Sequence, residues 1–170
     1  MRTKKVIMLP YDKQWKLDFE KIAAELQAAL GDTAISIEHV GSTSVEGLSA
    51  KPIIDIDVVI DGMDSFAETR SLLEKIGYCH EGNLGIEGRE AFKYAGKEHL
   101  RTHHLYVCPM DSEELKRHLV FRDYLRENRT AAEEYGRIKE EGARLYPEDI
   151  DGYIRHKSAF IERIYRECGL

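Results

Sequence analysis

The sequence predicts an α+β (α/β) fold in which a mixed sheet of four or five strands, flanked by helices, is followed by a helical tail packed on it. Three observations carry this. Short apolar runs bounded by Gly, Pro and Asp alternate with helical-period segments up to about residue 110. From Asp111 onward the pattern is helical. No repeat, low-complexity tract or polar linker divides the chain, so residues 1–170 read as one domain, a sheet core over 1–110 and a tail over 111–170. One sheet face is expected to be covered and the other to form a cleft.

Trp15, Phe19, Ile22, Leu26 and Leu30 recur at helical spacing and Gly31 is a natural stop, which predicts a first helix over 12–30. Residues 35–40 read as a strand running into Gly-Ser. Residues 53–60 form a second strand, with Ile54, Ile56 and Val58 toward a core and Asp55 and Asp57 on the opposite face. A helix over 66–76 is closed by Gly77. A glycine-rich segment with Gly82, Gly85 and Gly88 sets off a short strand over 90–94, and a further strand over 100–107 stops at Pro109. In the tail, Asp111 or Ser112 caps a helix whose first turn holds Glu113 and Glu114, and later helices run over 129–145 and 148–167. Ile150, Ile154, Phe160, Ile161 and Ile164 are expected to form the packing stripe of the last one.

Composition suits a compact cytoplasmic protein. A chain of 170 residues can bury about 70% of its unfolded surface, enough for one core. A net charge of -6 argues against coating nucleic acid by bulk electrostatics, while small charged ligands remain compatible with it. The opening MRTKKVIML is too short for a signal segment, and no apolar run reaches membrane-spanning length, so no membrane association is expected. Cys79, Cys108 and Cys168 are widely spaced and odd in number, which predicts free thiols.

The chemistry concentrates in IEHVGSTSVEGLSAKPIIDIDVVI, residues 37–60. Gly41, Ser42, Thr43 and Ser44 follow a strand and offer amides and hydroxyls suited to phosphate oxygens. Asp55 and Asp57, two apart in a strand, share a face with their bases roughly 6 to 7 Å apart. They are expected to open into one cleft beside the Gly-Ser turn and to hold Mg²⁺, with Mn²⁺ as the alternative. Lys51 precedes Pro52, which keeps it extended four residues before Asp55; its plainer reading is a solvated lysine. The plainer reading of the aspartates is an exposed polar strand face, and of the turn a capped strand-to-helix junction.

Val40-Gly41-Ser42, twelve residues, then Asp55-Ile56-Asp57 resembles the signature of the nucleotidyltransferase superfamily. A closer resemblance is to the GrpB (UPF0157-type) family of bacterial proteins. It rests on EHVGSTSVEGLSAKPIIDI at 38–56, RTHHLYV at 101–107, HLVFRDYLREN at 118–128 and KSAFIERI at 157–164, and runs from about Tyr11 to the C-terminus. The resemblance implies a nucleotidyltransferase-like sheet, a nucleotide bound through Gly41-Ser42, and metal on Asp55 and Asp57. Fusion of relatives to dephospho-CoA kinases implies a CoA-like ligand as an alternative. Many superfamily members supply a third acid from a later strand; residues 101–107 contain none. Relatives carry His at the place of His104 and often at that of Tyr106, so this chain keeps one and replaces the other.

Alternation puts His103, Leu105 and Val107 on the core face and His104 and Tyr106 on that of the carboxylates. His104 is therefore a candidate ligand, general base or phosphate contact. His39 and His103 read more plainly as buried, hydrogen-bonded imidazoles. His80, His99, His118 and His156 show no constellation. Among the basic residues Arg89, Lys93, Arg101, Arg117, Arg122, Arg126, Lys139 and Lys157, a planar fork makes Arg122 the first choice for phosphate. The leading reading is metal-dependent nucleotidyl transfer catalysed with Asp55, Asp57 and His104. A non-catalytic nucleotide- or CoA-binding module is the second. A phosphohydrolase using His39, Asp55, Asp57 and His104 as mixed ligands is the third.

Overall fold

The computed structural model describes residues 5–170; Met1 to Lys4, the start of the MRTKKVIML segment, lie outside the described residues. Five strands form one mixed sheet, β1 (Ser36–Val40), β2 (Ile54–Ile60), β3 (Tyr78–Gly82), β4 (Glu90–Tyr94) and β5 (His103–Pro109), in the order β1-β2-β5-β4-β3. Among the described residues only the central β2–β5 pair is parallel. Its two strands are accordingly the most continuously buried, as strands covered on both faces must be. A parallel return needs a long crossover, here α2 (Phe66–Lys75) and the β3–β4 hairpin.

Ile54, Ile56, Val58 and Ile60 face one way, into a core shared with Trp15, Ile22, Leu26 and Leu30 of α1 (Gln14–Leu30) and Leu73 of α2. The period-2 alternation of β2 then sends Asp55 and Asp57 to the opposite face. That face meets the tail helices α3 (Glu113–Glu127), α4 (Arg129–Leu145) and α5 (Ile150–Glu167). Ser112 caps α3, accepting from the Leu115 amide at 3.2 Å and donating to the Gly88 carbonyl at 2.7 Å. The tail does more than wall the sheet. Val45 and Leu48, from the segment after the Gly-Ser turn, pack in one cluster with Leu125, Ala132, Tyr135, Phe160 and Ile164. Leu9 and Ala50 pair through two backbone hydrogen bonds and tie down the same segment from its other side.

The α5 stripe differs from expectation. Tyr153, Phe160 and Ile164 are buried, but Ile154 is 42% exposed, because a residue next to Tyr153 is rotated about 100° from the buried face. No described helix is long and apolar enough to cross a membrane. The three cysteines are free, Cys108 buried at the sheet centre.

Candidate active site

β1 ends opposite β2 so that Val40 pairs with Asp55, which brings the Gly-Ser turn against that carboxylate. Gly41 sits at φ 72, and a methyl group built on it would overlap Oδ2 of Asp55. Both the backbone angle and the space demand glycine. Gly41→Ala is therefore expected to destabilise the fold by about 1 to 3 kcal/mol in urea unfolding, by strain and by displacing the Asp55 side chain. Ser42, Thr43 and Ser44 form one 3₁₀ turn, with the Ser44 amide donating to the Gly41 carbonyl at 3.1 Å.

The parallel register puts Asp55 opposite His104 and Asp57 opposite Tyr106. His104 Nδ1 lies 2.9 Å from Asp55 Oδ1. Burial raises the Asp55 pKa, but the His104 hydrogen bond and the charges of His104, His118 and Lys51 outweigh it, leaving the carboxyl below its ordinary value. An ionised Asp55 can only accept, so His104 Nδ1 donates, which leaves Nε2 as the ring nitrogen turned away from the carboxylate.

A cavity of about 130 Å³ opens at this pair, lined by Ser42, Thr43, Lys51, Asp55, His104, Lys139, Tyr153 and Lys157. Three lysines thus meet one carboxylate. The buried stripe of α4, Ala132, Tyr135, Gly136, Lys139 and Gly142, places Lys139 between two glycines. Gly142 lets α5 approach closely, since a methyl group there would stand 3.0 Å from His156 and 3.1 Å from Tyr153. Lys139 is 1% exposed and donates to the Ser49 carbonyl. The Lys51 and Lys157 ammonium groups lie 5.4 and 4.9 Å from the Tyr153 ring centre. Burial and the charges of Lys157 and Lys51 push the Lys139 pKa well down; burial and Lys51 bring Lys157 to about 8. These lysines repel one another, with Asp55 the carboxylate that offsets all three.

Asp57 departs from expectation. Its side chain is fully buried under α3, with Oδ2 2.6 Å from His118 Nδ1, so it does not open into the Asp55 cavity. His118 Nε2 is 3.1 Å from Glu114 Oε1. An imidazole between two carboxylates donates from both nitrogens. Burial opposes its charge, yet the two hydrogen bonds raise its pKa to about 9. Burial also raises Asp57, against the pull of His118. The residue that looked isolated in sequence is therefore the partner of one of the two motif acids. Its i, i+4 spacing from Glu114 was the available signal.

A folded-state value above the unfolded 6.5 means that the His118 contribution is full below pH 6.5 and lost as pH rises through about 9. Lys157, depressed to about 8, acts in the opposite sense above that pH. In chelator, urea unfolding of wild type minus His118→Gln is expected to fall by roughly 3 kcal/mol between pH 6.5 and 9.5. A flat difference would contradict the pairing.

The structure thus brings together Ser42, Thr43, Lys51, Asp55 and His104, with Gly41 against Asp55. Ser44 faces a neighbouring cavity. Arg122 stands away from this lining, with Nη1 on Glu38 at 2.8 Å and Nε on Asp123 at 2.9 Å, because α3 crosses β1 at Glu38. His39 pairs with Ile56, on the core face, and stacks on Phe19 while meeting Thr43 Oγ1 at 2.9 Å. A mixed set of His39, Asp55, Asp57 and His104 is therefore not assembled, since the strand alternation sends His39 to the other face. His103 is buried between the Tyr78 hydroxyl and the Arg101 carbonyl. Tyr106 packs under the Arg89 guanidinium at 4.1 Å.

Among the described residues no three His, Cys, Asp or Glu side chains cluster to hold a metal ion unaided. Mg²⁺ commonly takes only one or two carboxylates and completes its shell with water and substrate phosphate. Asp57 Oδ1 is buried without a hydrogen-bond partner. Asp55, a third exposed in the cavity, fits that donor set, and Asp57 beside it brings one unpartnered oxygen that is closed to the cavity.

Similarity to known proteins follows this geometry. The fold is nucleotidyltransferase-like: Cid1 in complex with its short product ApU aligns with a TM-score of 0.54 at 11% identity, over 76% of this chain and 41% of that one. A MgGTP-bound structure of the Cid1 poly(U) polymerase aligns at 0.51 and 10% identity, over 72% and 41%. At these identities the likeness is one of fold. The chain belongs to the GrpB family, whose model, described as GrpB protein, matches residues 5–167. The conserved protein GrpB from Enterococcus faecalis has a TM-score of 0.83 at 38% identity, over 95% of this chain and 96% of that one. The UPF0157 protein YqkA of Bacillus subtilis is 33% identical over 94% of this chain, which spans 46% of that protein's length. A dephospho-CoA kinase of Mycolicibacterium paratuberculosis is 24% identical over 96% of this chain and 46% of its own.

Proposed function

We propose that this chain transfers a nucleotidyl group from a nucleoside triphosphate to an acceptor hydroxyl, as a single cytoplasmic domain. The observation that carries the reading is the meeting of an Asp55–His104 pair with Lys51, Lys139 and Lys157 in one cavity. Excess positive charge with few compensating acids suits a polyphosphate, and the paired imidazole suits a proton acceptor. A divalent ion held by Asp55 and Asp57, Mg²⁺ or Mn²⁺, would supply charge neutralisation at the phosphates. The hydroxyl oxygen bonds to the α-phosphorus while the bond from that phosphorus to the bridging oxygen breaks and pyrophosphate leaves. His104 Nε2 takes the hydroxyl proton, with Asp55 steadying the imidazolium that results. The lysines hold the departing pyrophosphate.

His104→Ala is expected to lower transfer by about 10² or more while nucleotide binding weakens less. Labelled triphosphates incubated with candidate acceptors and cell extract report it as retained label with pyrophosphate release. A second reading, a nucleotide- or CoA-binding module without turnover, is favoured by Asp57 being closed off by His118 and by β5 offering no third acid. Tight nucleotide binding with no transfer under any metal, and unchanged binding in His104→Ala, would decide for it. Nucleic acid is not the ligand expected in either reading, given the net charge of -6.

A further inference from the structure

A second, larger cavity of about 500 Å³ lies between the start of α1, the Ser42–Ser44 turn and the end of α3. Its size is within the roughly 300 to 1,000 Å³ that holds small organic ligands. Thr43 lines this cavity and the Asp55 cavity alike, so the two adjoin at the turn. One wall is aromatic: Phe19 stacks on His39 with ring centres 4.6 Å apart and planes 12° apart. Burial holds His39 down to about 4, so the ring behind Phe19 is uncharged near neutrality. Tyr11 adds a further ring, set edge-on against Trp15.

Arg126 supplies another part of the lining. Its Nε donates to the Ser44 carbonyl at 2.9 Å, which fixes the guanidinium plane against the turn. Neighbouring Arg122 is taken up by Glu38 and Asp123, whereas Arg126 forms no ion pair among the described residues. A guanidinium anchored at one nitrogen presents its two terminal amines as a fork for a carboxylate or phosphate. Lys16 adds a second positive charge, and the exposed Glu20 and Glu46 balance the two cations. That balance separates this cavity from the lysine-rich one. A polyphosphate suits three lysines and one carboxylate; a single anionic group suits two cations with two carboxylates.

We propose that the second cavity binds a planar organic anion, a ring bearing one carboxylate or phosphate that lies on Phe19 and is held at its charged end by Arg126. Its service as the acceptor side of the site rests on the nucleotidyl-transfer reading; its binding of such a ligand does not. Calorimetric titration without metal tests it, using AMP and 4-hydroxybenzoate as phosphate and carboxylate probes. Adenosine and inorganic phosphate serve as half-probes, and tripolyphosphate reports on the lysine cavity.

At least one planar anion is expected to bind about tenfold or more tightly than the half-probes. Arg126→Gln, which keeps a donor for Ser44, is expected to weaken it by a similar factor and leave tripolyphosphate unchanged, and Lys157→Gln to do the reverse. Phe19→Leu, verified as folded by its thermal melt, is expected to weaken the planar probe as well. Failure of both probes to bind at millimolar concentration overturns the site. Binding that survives Arg126→Gln but falls in Lys157→Gln also overturns it. If ATP weakens in Arg126→Gln while tripolyphosphate does not, the donor's base occupies the cavity and the acceptor assignment falls. Arg126-dependent binding without any transfer would sink the transfer reading and leave the site standing.

Discussion

Asp55→Asn is expected to abolish metal-dependent stabilisation by nucleotide and to lower any transfer by on the order of 10³, while the free protein stays folded. A ligand at a hundred times its dissociation constant stabilises wild type by about 2.7 kcal/mol, and that increment should vanish from thermal or urea unfolding. The unliganded fold should change little, because a third of the Asp55 side chain is exposed and Asn can still accept from His104. The same change has an effect of opposite sign. Asp55 offsets the charges of Lys51, Lys139 and Lys157, so removing it should tighten tripolyphosphate binding in chelator. Unchanged metal and nucleotide shifts in a folded variant would remove Asp55 from the site.

His118→Ala is expected to cost roughly 3 to 5 kcal/mol, since it strips the donor from a fully buried carboxylate whose other oxygen already lacks a partner. Against a typical total of about 5 to 15 kcal/mol this is a large share. Urea unfolding of the single variant and of Asp57→Leu/His118→Leu separates the causes. If burial of an unpaired charge is responsible, the double variant should recover much of the loss. A cost below about 1 kcal/mol for His118→Ala would mean that Asp57 is hydrated and that the pairing stabilises little.

Strand-borne features were legible because period-2 geometry leaves few choices. IDIDVVI could place Asp55 and Asp57 only opposite the Ile54 and Ile56 face, and the same rule separated His103 from His104. The helix-borne part was not legible in the same way. Whether Asp57 opens to a cleft or meets His118 depends on how α3 rotates and crosses the sheet, which packing decides. That crossing also delivers Arg122 to Glu38 instead of the lysine cavity. Lys139 and Lys157 were visible as basic residues among many. The usable signal was that Lys139 interrupts the small and aromatic stripe from Ala132 to Gly142, where a lysine has no reason to be for packing alone.

The parallel β2–β5 register also governs when this site comes into being. Asp55 and His104 are 49 residues apart in the chain, and Arg126 and Ser44 are 82 apart, so neither pairing follows from a local turn or helix. Closing such loops costs entropy before any contact repays it, and parallel pairing with an intervening hairpin is among the slower topologies to assemble. During refolding α1 and the β3–β4 hairpin can form from near neighbours, whereas the cavity has no precursor until the two central strands meet and the tail docks. Any ligand of this cavity can therefore be held only once the fold is complete, with α5 docked on the sheet.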